Sequence, residues 1–213
     1  MKKTKKFLSV IIVSIVLSSC AINRKVSYDN LKMDLSAVKT ESLSVALLDH
    51  RPSVVKGRRK PSLTGYMRSG AGIPYPMSTT TGCNFIDEIA INMTESLNRS
   101  NTKTTRISTN FKQDEGTVKQ TLLDSDSEKK IFFVFRELHT DGYAIQLLHY
   151  DFDVSVFDNN NKMIAFKKFH RKRKLGGNVA FGAGRYKEYM PKAITKLFED
   201  VINDKDILDS LNN

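Results

Sequence analysis

Apolar and polar positions along the chain fall into a few patterned segments separated by polar punctuation. Residues 43–48 (LSVALL) are a compact apolar run halted at Pro52, which predicts a first strand. Residues 83–100 place Phe85, Ile86, Ile89, Ala90, Met93 and Leu97 on one face at helical spacing. Thr81 or Asn84 can cap that helix, and Asp87 and Glu88 sit early, where the helix dipole favours acids. Residues 102–109 are β-rich and polar at alternate positions, so they predict a strand near an edge, and 114–123 predict a short helix carried by Val118, Leu122 and Leu123. Residues 130–139 (KIFFVFRELH) and 143–157 (YAIQLLHYDFDVSVF) flank Thr140-Asp141-Gly142. Asp-Gly between apolar alternations signals a hairpin. A two-residue turn there pairs Phe133 with Tyr150 and Phe135 with Leu148, on one core face with Ile131 and Phe152. A polar turn at 158–161 leads to a third antiparallel strand, 163–169. A glycine-rich loop, 176–184, precedes a final helix, 185–203, that buries Met190, Ile194, Leu197, Phe198 and Val201.

Two stretches show no clean period. Residues 51–82 hold four of the five prolines and five glycines, and read as one long loop. Residues 21–42 are mostly polar and read as a flexible tether of some 20 residues, spanning roughly 25 Å. The order of elements predicts an α+β fold: a mixed sheet with a C-terminal three-stranded antiparallel meander and helices packed on it.

The amino terminus follows a different logic. Lys2, Lys3, Lys5 and Lys6 precede an apolar run of eleven residues, 7–17, and then Ser18-Ser19-Cys20. A basic head and a short apolar run form the pattern of a secretory signal peptide, too short for the roughly 20 residues of a membrane-spanning helix. Leu17-Ser18-Ser19-Cys20 resembles the bacterial lipobox, which is cleaved before a cysteine that then carries lipid. That resemblance implies a signal peptide at 1–19, a lipidated N-terminus and tether at 20–42 with Cys20 as the lipid site, and a single domain at 43–213. Ala21, where an aspartate would resemble an inner-membrane retention signal, favours an outer-membrane lipoprotein facing the periplasm.

Charge and cysteine content narrow the partners. The formal charge is +11; removing residues 1–19 takes four of the 34 basic residues and no acid, so 30 against 23 leave +7. In an exported protein such a balance favours lipid headgroups, lipopolysaccharide or an acidic face of another envelope protein over nucleic acid. With Cys20 lipidated, Cys83 is the remaining thiol, so no internal disulfide staples the fold. Cys83 is expected to be a packed small side chain.

The sharpest candidate site is electrostatic. Lys56, Arg58, Arg59 and Lys60 follow the first strand, and Lys167, Lys168, Arg171, Lys172, Arg173 and Lys174 follow the last. If those strands run parallel, the two clusters share one end of the sheet, and arginine forks suit phosphate or carboxylate. His50, His139, His149 and His170 form no HExxH motif, and the predicted register sets His139 against Ala144 and His149 against Val134, so those two do not meet. No nucleophile elbow or phosphate loop is present, so no metal site, cofactor or catalytic residue is expected.

Lipobox, polar tether and element order together resemble small envelope lipoproteins of the YajG-like kind, whose domain is similar to the amino-terminal domain of TolB. The resemblance covers roughly residues 40–210 in order and spacing and implies architecture, not activity. The favoured reading is a non-catalytic binding or assembly lipoprotein for an anionic partner. The alternative is a periplasmic accessory subunit of an export or secretion channel, and an envelope enzyme is disfavoured.

Overall fold

The computed structural model describes residues 24–68, 71–143, 145–178 and 183–213. In chain order they form β1 (Lys25–Val26), β2 (Ser42–Asp49), α1 (Pro52–Val55), β3 (Leu63–Arg68), β4 (Pro74–Thr79), α2 (Phe85–Arg99) and β5 (Lys103–Ile107). There follow α3 (Glu115–Leu123), β6 (Lys129–Asp141), β7 (Ile145–Phe157), β8 (Met163–Asn178), α4 (Ala183–Ile202) and α5 (Lys205–Asn212). The α+β expectation holds, with one mixed sheet of eight strands.

β6 is the strand on which the sheet is assembled. One of its edges carries β7, antiparallel over its whole length. The other is shared: β2 runs parallel to its first half, from Lys129 to Phe135, and β3 meets it at Thr140. Gly65 makes that meeting possible, because a Cβ there would collide with Thr140. Beyond β2 lies β5, an edge strand as its polar alternation predicts. β7 pairs antiparallel with β8, which completes the C-terminal meander.

The helices bury unequal amounts of the two faces. On one side, α2, α4 and α5 pack Phe85, Ile89, Met190, Phe198 and Ile207 against Phe133, Phe135, Leu148 and Phe152. The rings of Phe135 and Phe152 lie 4.9 Å apart, a packed aromatic pair. On the other side, among the described residues, α3 covers the β2–β6 region and the end of β7, with Val118 and Leu122 clustered with Ala46, Leu48, Val134 and Phe157. Two caps fix the helices: the side chain of Asn84 accepts from the Ile86 N–H at 3.0 Å, and that of Asp114 accepts from the Thr117 N–H at 2.9 Å.

Four expectations are corrected. Residues 51–82 are not one loop, because they contain α1 and the β3–β4 hairpin. The hairpin tolerates Pro74 and Pro76 because the even-numbered N–H groups of β4 point away from β3. Ser78 donates to Arg24 O of the β1 segment and Thr80 to Val26 O, whereas Thr79 donates to Ser62 O beside β3. The two prolines therefore precede the β4 residues that β1 pairs, and lose no ladder bond to β3. Residues 24–41 are no free tether: Val26, Tyr28, Leu31, Met33, Leu35 and Val38 are all buried. Their backbone is held by α2, as Leu31 N–H donates to Asn92 Oδ1 at 2.7 Å and Met33 N–H to Ser96 Oγ at 3.3 Å. Finally, β8 runs to Asn178, so the basic run lies inside a strand rather than after it, and Cys83 is exposed rather than packed.

Candidate functional site

The face of the β6–β8 meander that is left open among the described residues carries a concentration of polar side chains. Its layout follows from one extra residue. Phe135 pairs with Phe152 and Glu137 with Asp151, so Arg136 is bulged out of the ladder. A bulge sets two residues against one and turns neighbours toward the same side. Before it, Phe133 and Phe135 face the large core; after it, Leu138 does, while Glu137 and His139 join the open face. β7 alternates without interruption, with Leu148, Tyr150 and Phe152 in the core and His149, Asp151 and Asp153 opposite.

This register differs from the one a two-residue turn would impose. Asp141 pairs with Leu147, so the connection is longer than Asp141-Gly142. Asp141 instead receives Arg68, with Nε at 2.8 Å and Nη2 at 2.7 Å from its two carboxylate oxygens, which holds its pKa below the usual range. As a result His139 and His149, expected apart, are direct cross-strand partners. Their rings stack at 5.0 Å with 9° between planes, and Glu137 Oε1 lies 3.7 Å from His139 Nδ1. Glu137, His139 and His149 each offer one ligand atom, all within 4.8 Å of one another. Burial lowers the pKa of His139, opposed by the Glu137 carboxylate. The i, i+2 spacing of Glu137 and His139 was a visible signal for a shared strand face; the partnership with His149 depends on the bulge.

Beside these three residues opens a cleft of about 650 Å³ lined in part by Arg51, Arg59, Tyr66, Arg136, His139 and Asp151. The Arg59 guanidinium sits 5.1 Å over the Tyr66 ring, whose edge meets His139 at 6.4 Å. Arg136 is engaged by Asp153 at 2.7 Å and by Glu115 of α3 at 3.6 Å.

The two basic clusters do not merge. β2 and β8 do run parallel, each being parallel to β6 or related to it through antiparallel β7. Two strands lie between them, however, and Glu137, Asp151 and Asp153 occupy that interval. Lys56, Arg58, Arg59 and Lys60 are exposed around the turn after α1, and Arg59 is the member that reaches the cleft. The second cluster divides by side-chain alternation. Lys167 is held by Asp204 and Asp206, both at 2.7 Å, which raises its pKa through those hydrogen bonds; Arg173 is held by Asp200 at 2.6 Å. Those ties fasten β8 to α4 and the start of α5. Arg171, opposite Tyr150, is exposed on that same side. Lys168, Lys172 and Lys174 lie on the open face, opposite Asp153, His149 and Leu147, and among the described residues they make no ion pair.

An eight-stranded mixed sheet with helices weighted to one face defines the class of fold. Protein XCC0632 of Xanthomonas campestris, of family DUF330, is similar over 87% of this chain and 92% of its own, with a TM-score of 0.53 at 11% identity. That likeness shows the fold alone. Lipoprotein GNA1162 of Neisseria meningitidis aligns with 73% of this chain and 98% of its own at 11% identity, but superposes poorly, with a TM-score of 0.33. No family model and no curated protein matches the chain. Among the described residues no helix is long and apolar enough to cross a membrane.

Proposed function

We propose that the chain is a lipoprotein of the bacterial envelope, anchored through Cys20, whose domain is a non-catalytic module holding an anionic partner on the open face of the meander. The observation that carries this reading is the row Lys168, Lys172 and Lys174, which projects from β8 on the side away from the core. Their neighbours Lys167 and Arg173, on the other side, are consumed by structural ion pairs. Cations without an ion-pair partner among the described residues, held on a rigid strand, are available to phosphate or carboxylate groups at little ordering cost. Arg59 and the cleft beside it extend the same face.

Such binding weakens with salt, because the screening length falls from about 10 Å at 0.1 M to about 3 Å at 1 M. The triple variant Lys168→Glu, Lys172→Glu, Lys174→Glu is expected to lose a salt-sensitive association recovered by crosslinking in intact envelopes. Its melting temperature should stay near that of the parent, since these side chains support no core contact. Recovery of the same partners at the same salt would refute the reading.

A further inference from the structure

We infer that Glu137, His139 and His149 form a binding site for a divalent transition-metal ion of the zinc class. The bulge at Arg136 places Glu137 and His139 two residues apart on one strand face, and the β6–β7 ladder sets His149 directly across from His139. All three side chains are partly shielded, and their ligand atoms lie within 4.8 Å of one another. Ligands about 2.0–2.1 Å from a tetrahedral ion are separated by roughly 3.4 Å. Glu137 and His139 stand at 3.7 Å already, close to that spacing.

The donor chemistry selects the ion. Two imidazoles with one carboxylate suit zinc, cobalt, nickel or copper, whereas calcium and magnesium require shells of oxygen. Three protein ligands are also the number at which zinc keeps a position open for an outside group, unlike the four of a closed structural site. Glu137 and His139 line the cleft that Arg59 and Arg136 border, so the three donors stand at its wall, within reach of a group entering it. The ladder holds the donors on paired strands, which is how a metal site gains precision over one built on loops. This inference stands apart from the anion-binding reading, because it uses none of the lysines of β8.

The test is calorimetric titration of zinc chloride into the untagged full chain in detergent, with cobalt absorption spectra as a second readout. One equivalent should bind, reversibly on adding a chelator, and cobalt should give the intense visible bands of a low-coordinate site with nitrogen donors. His139→Ala and His149→Ala should each weaken zinc by more than the roughly 10–100-fold that outer-shell partners contribute. His50→Ala, whose ring meets the Gln113 carbonyl elsewhere, should bind as the parent does. Metal-free melting of each variant separates lost ligation from lost folding, and Glu137→Gln, the mildest change, must also weaken zinc. A parent that binds no zinc at micromolar concentration, or ligand variants that bind it unchanged, would overturn the site.

Discussion

Arg51→Ala should be among the most damaging single substitutions in the chain. Arg51 is 4% exposed and its partner Asp49 1%, so the pair is withdrawn from water. Nε and Nη2 of Arg51 donate to the two carboxylate oxygens of Asp49, both at 2.8 Å. Its remaining donors reach the carbonyls of Leu63 at 2.8 Å, Pro61 at 2.9 Å and Leu138 at 3.2 Å. One guanidinium thus joins the end of β2 to the start of β3 and to β6, where β2 stops and β3 takes over. Removing one member of a buried pair leaves the other charge uncompensated and costs about 3–5 kcal/mol. Since whole domains are stable by about 5–15 kcal/mol, this is a large fraction of the total. Urea unfolding followed by circular dichroism gives the loss, and hydrogen exchange gives its location: β3 and β4 amides should lose protection before those of β7. The double variant Asp49→Leu, Arg51→Met removes both charges and should recover much of the loss, as apolar replacements of buried pairs commonly do. A loss below about 1 kcal/mol for Arg51→Ala, or a double variant no better than the single, would refute the staple.

Two further outcomes are expected. Cys20→Ser should block processing and leave a heavier, signal-bearing precursor on mass spectrometry; a mature membrane-bound species of unchanged mass would exclude lipidation at that residue. Asp87 of α2 has its carboxyl pushed up to about 6, by burial first and by Asp49, against the pull of Arg106. A carboxyl raised in the folded state binds protons more tightly there than in the unfolded chain, so stability falls as pH rises from its ordinary 3.8 through about 6. Asp87→Asn should therefore stabilise at pH 7.5 by about 1 kcal/mol after solvent screening, and hardly at all at pH 4. An equal gain at both pH values, read by thermal melting, would remove Asp87 as the cause.

Local pattern sufficed where each residue's environment is set by its near neighbours. The helical stripe of α2, the short helix on Val118 and Leu122, and the alternations of β6 and β7 all appear as expected, with Phe133, Phe135, Leu148 and Tyr150 buried together. What failed depended on distant partners. Val26, Tyr28, Leu31 and Leu35 follow no single period because their segment is shaped by Asn92 and Ser96 on α2. Pro74 and Pro76 argue against a strand unless the position of β1 is known. The hairpin register slipped because Asp141 is committed to Arg68 rather than to a tight turn, and because a bulge at Arg136 leaves no local signature. The histidine pair was hidden by that same slip. Within the basic run, alternation alone separated Lys167 and Arg173 from Lys168 and Lys172, but only once the run lay in a strand.

The embedding of residues 24–41 bears on the proposed anchoring, because this segment belongs to the domain rather than to a linker. Were Cys20 the anchor, as proposed, it would stand only four positions before Arg24, whose carbonyl accepts from Ser78. Four residues span at most about 14 Å, little more than half the roughly 25 Å of a free tether. β1 forms one margin of the sheet, while β8 forms the opposite margin. From β1 through β4, β3, β6 and β7 to β8 there are five strand spacings, about 24 Å in all. On the proposed anchoring at Cys20, the breadth of the sheet, rather than slack in a linker, would bound how far its charged margin reaches from the bilayer.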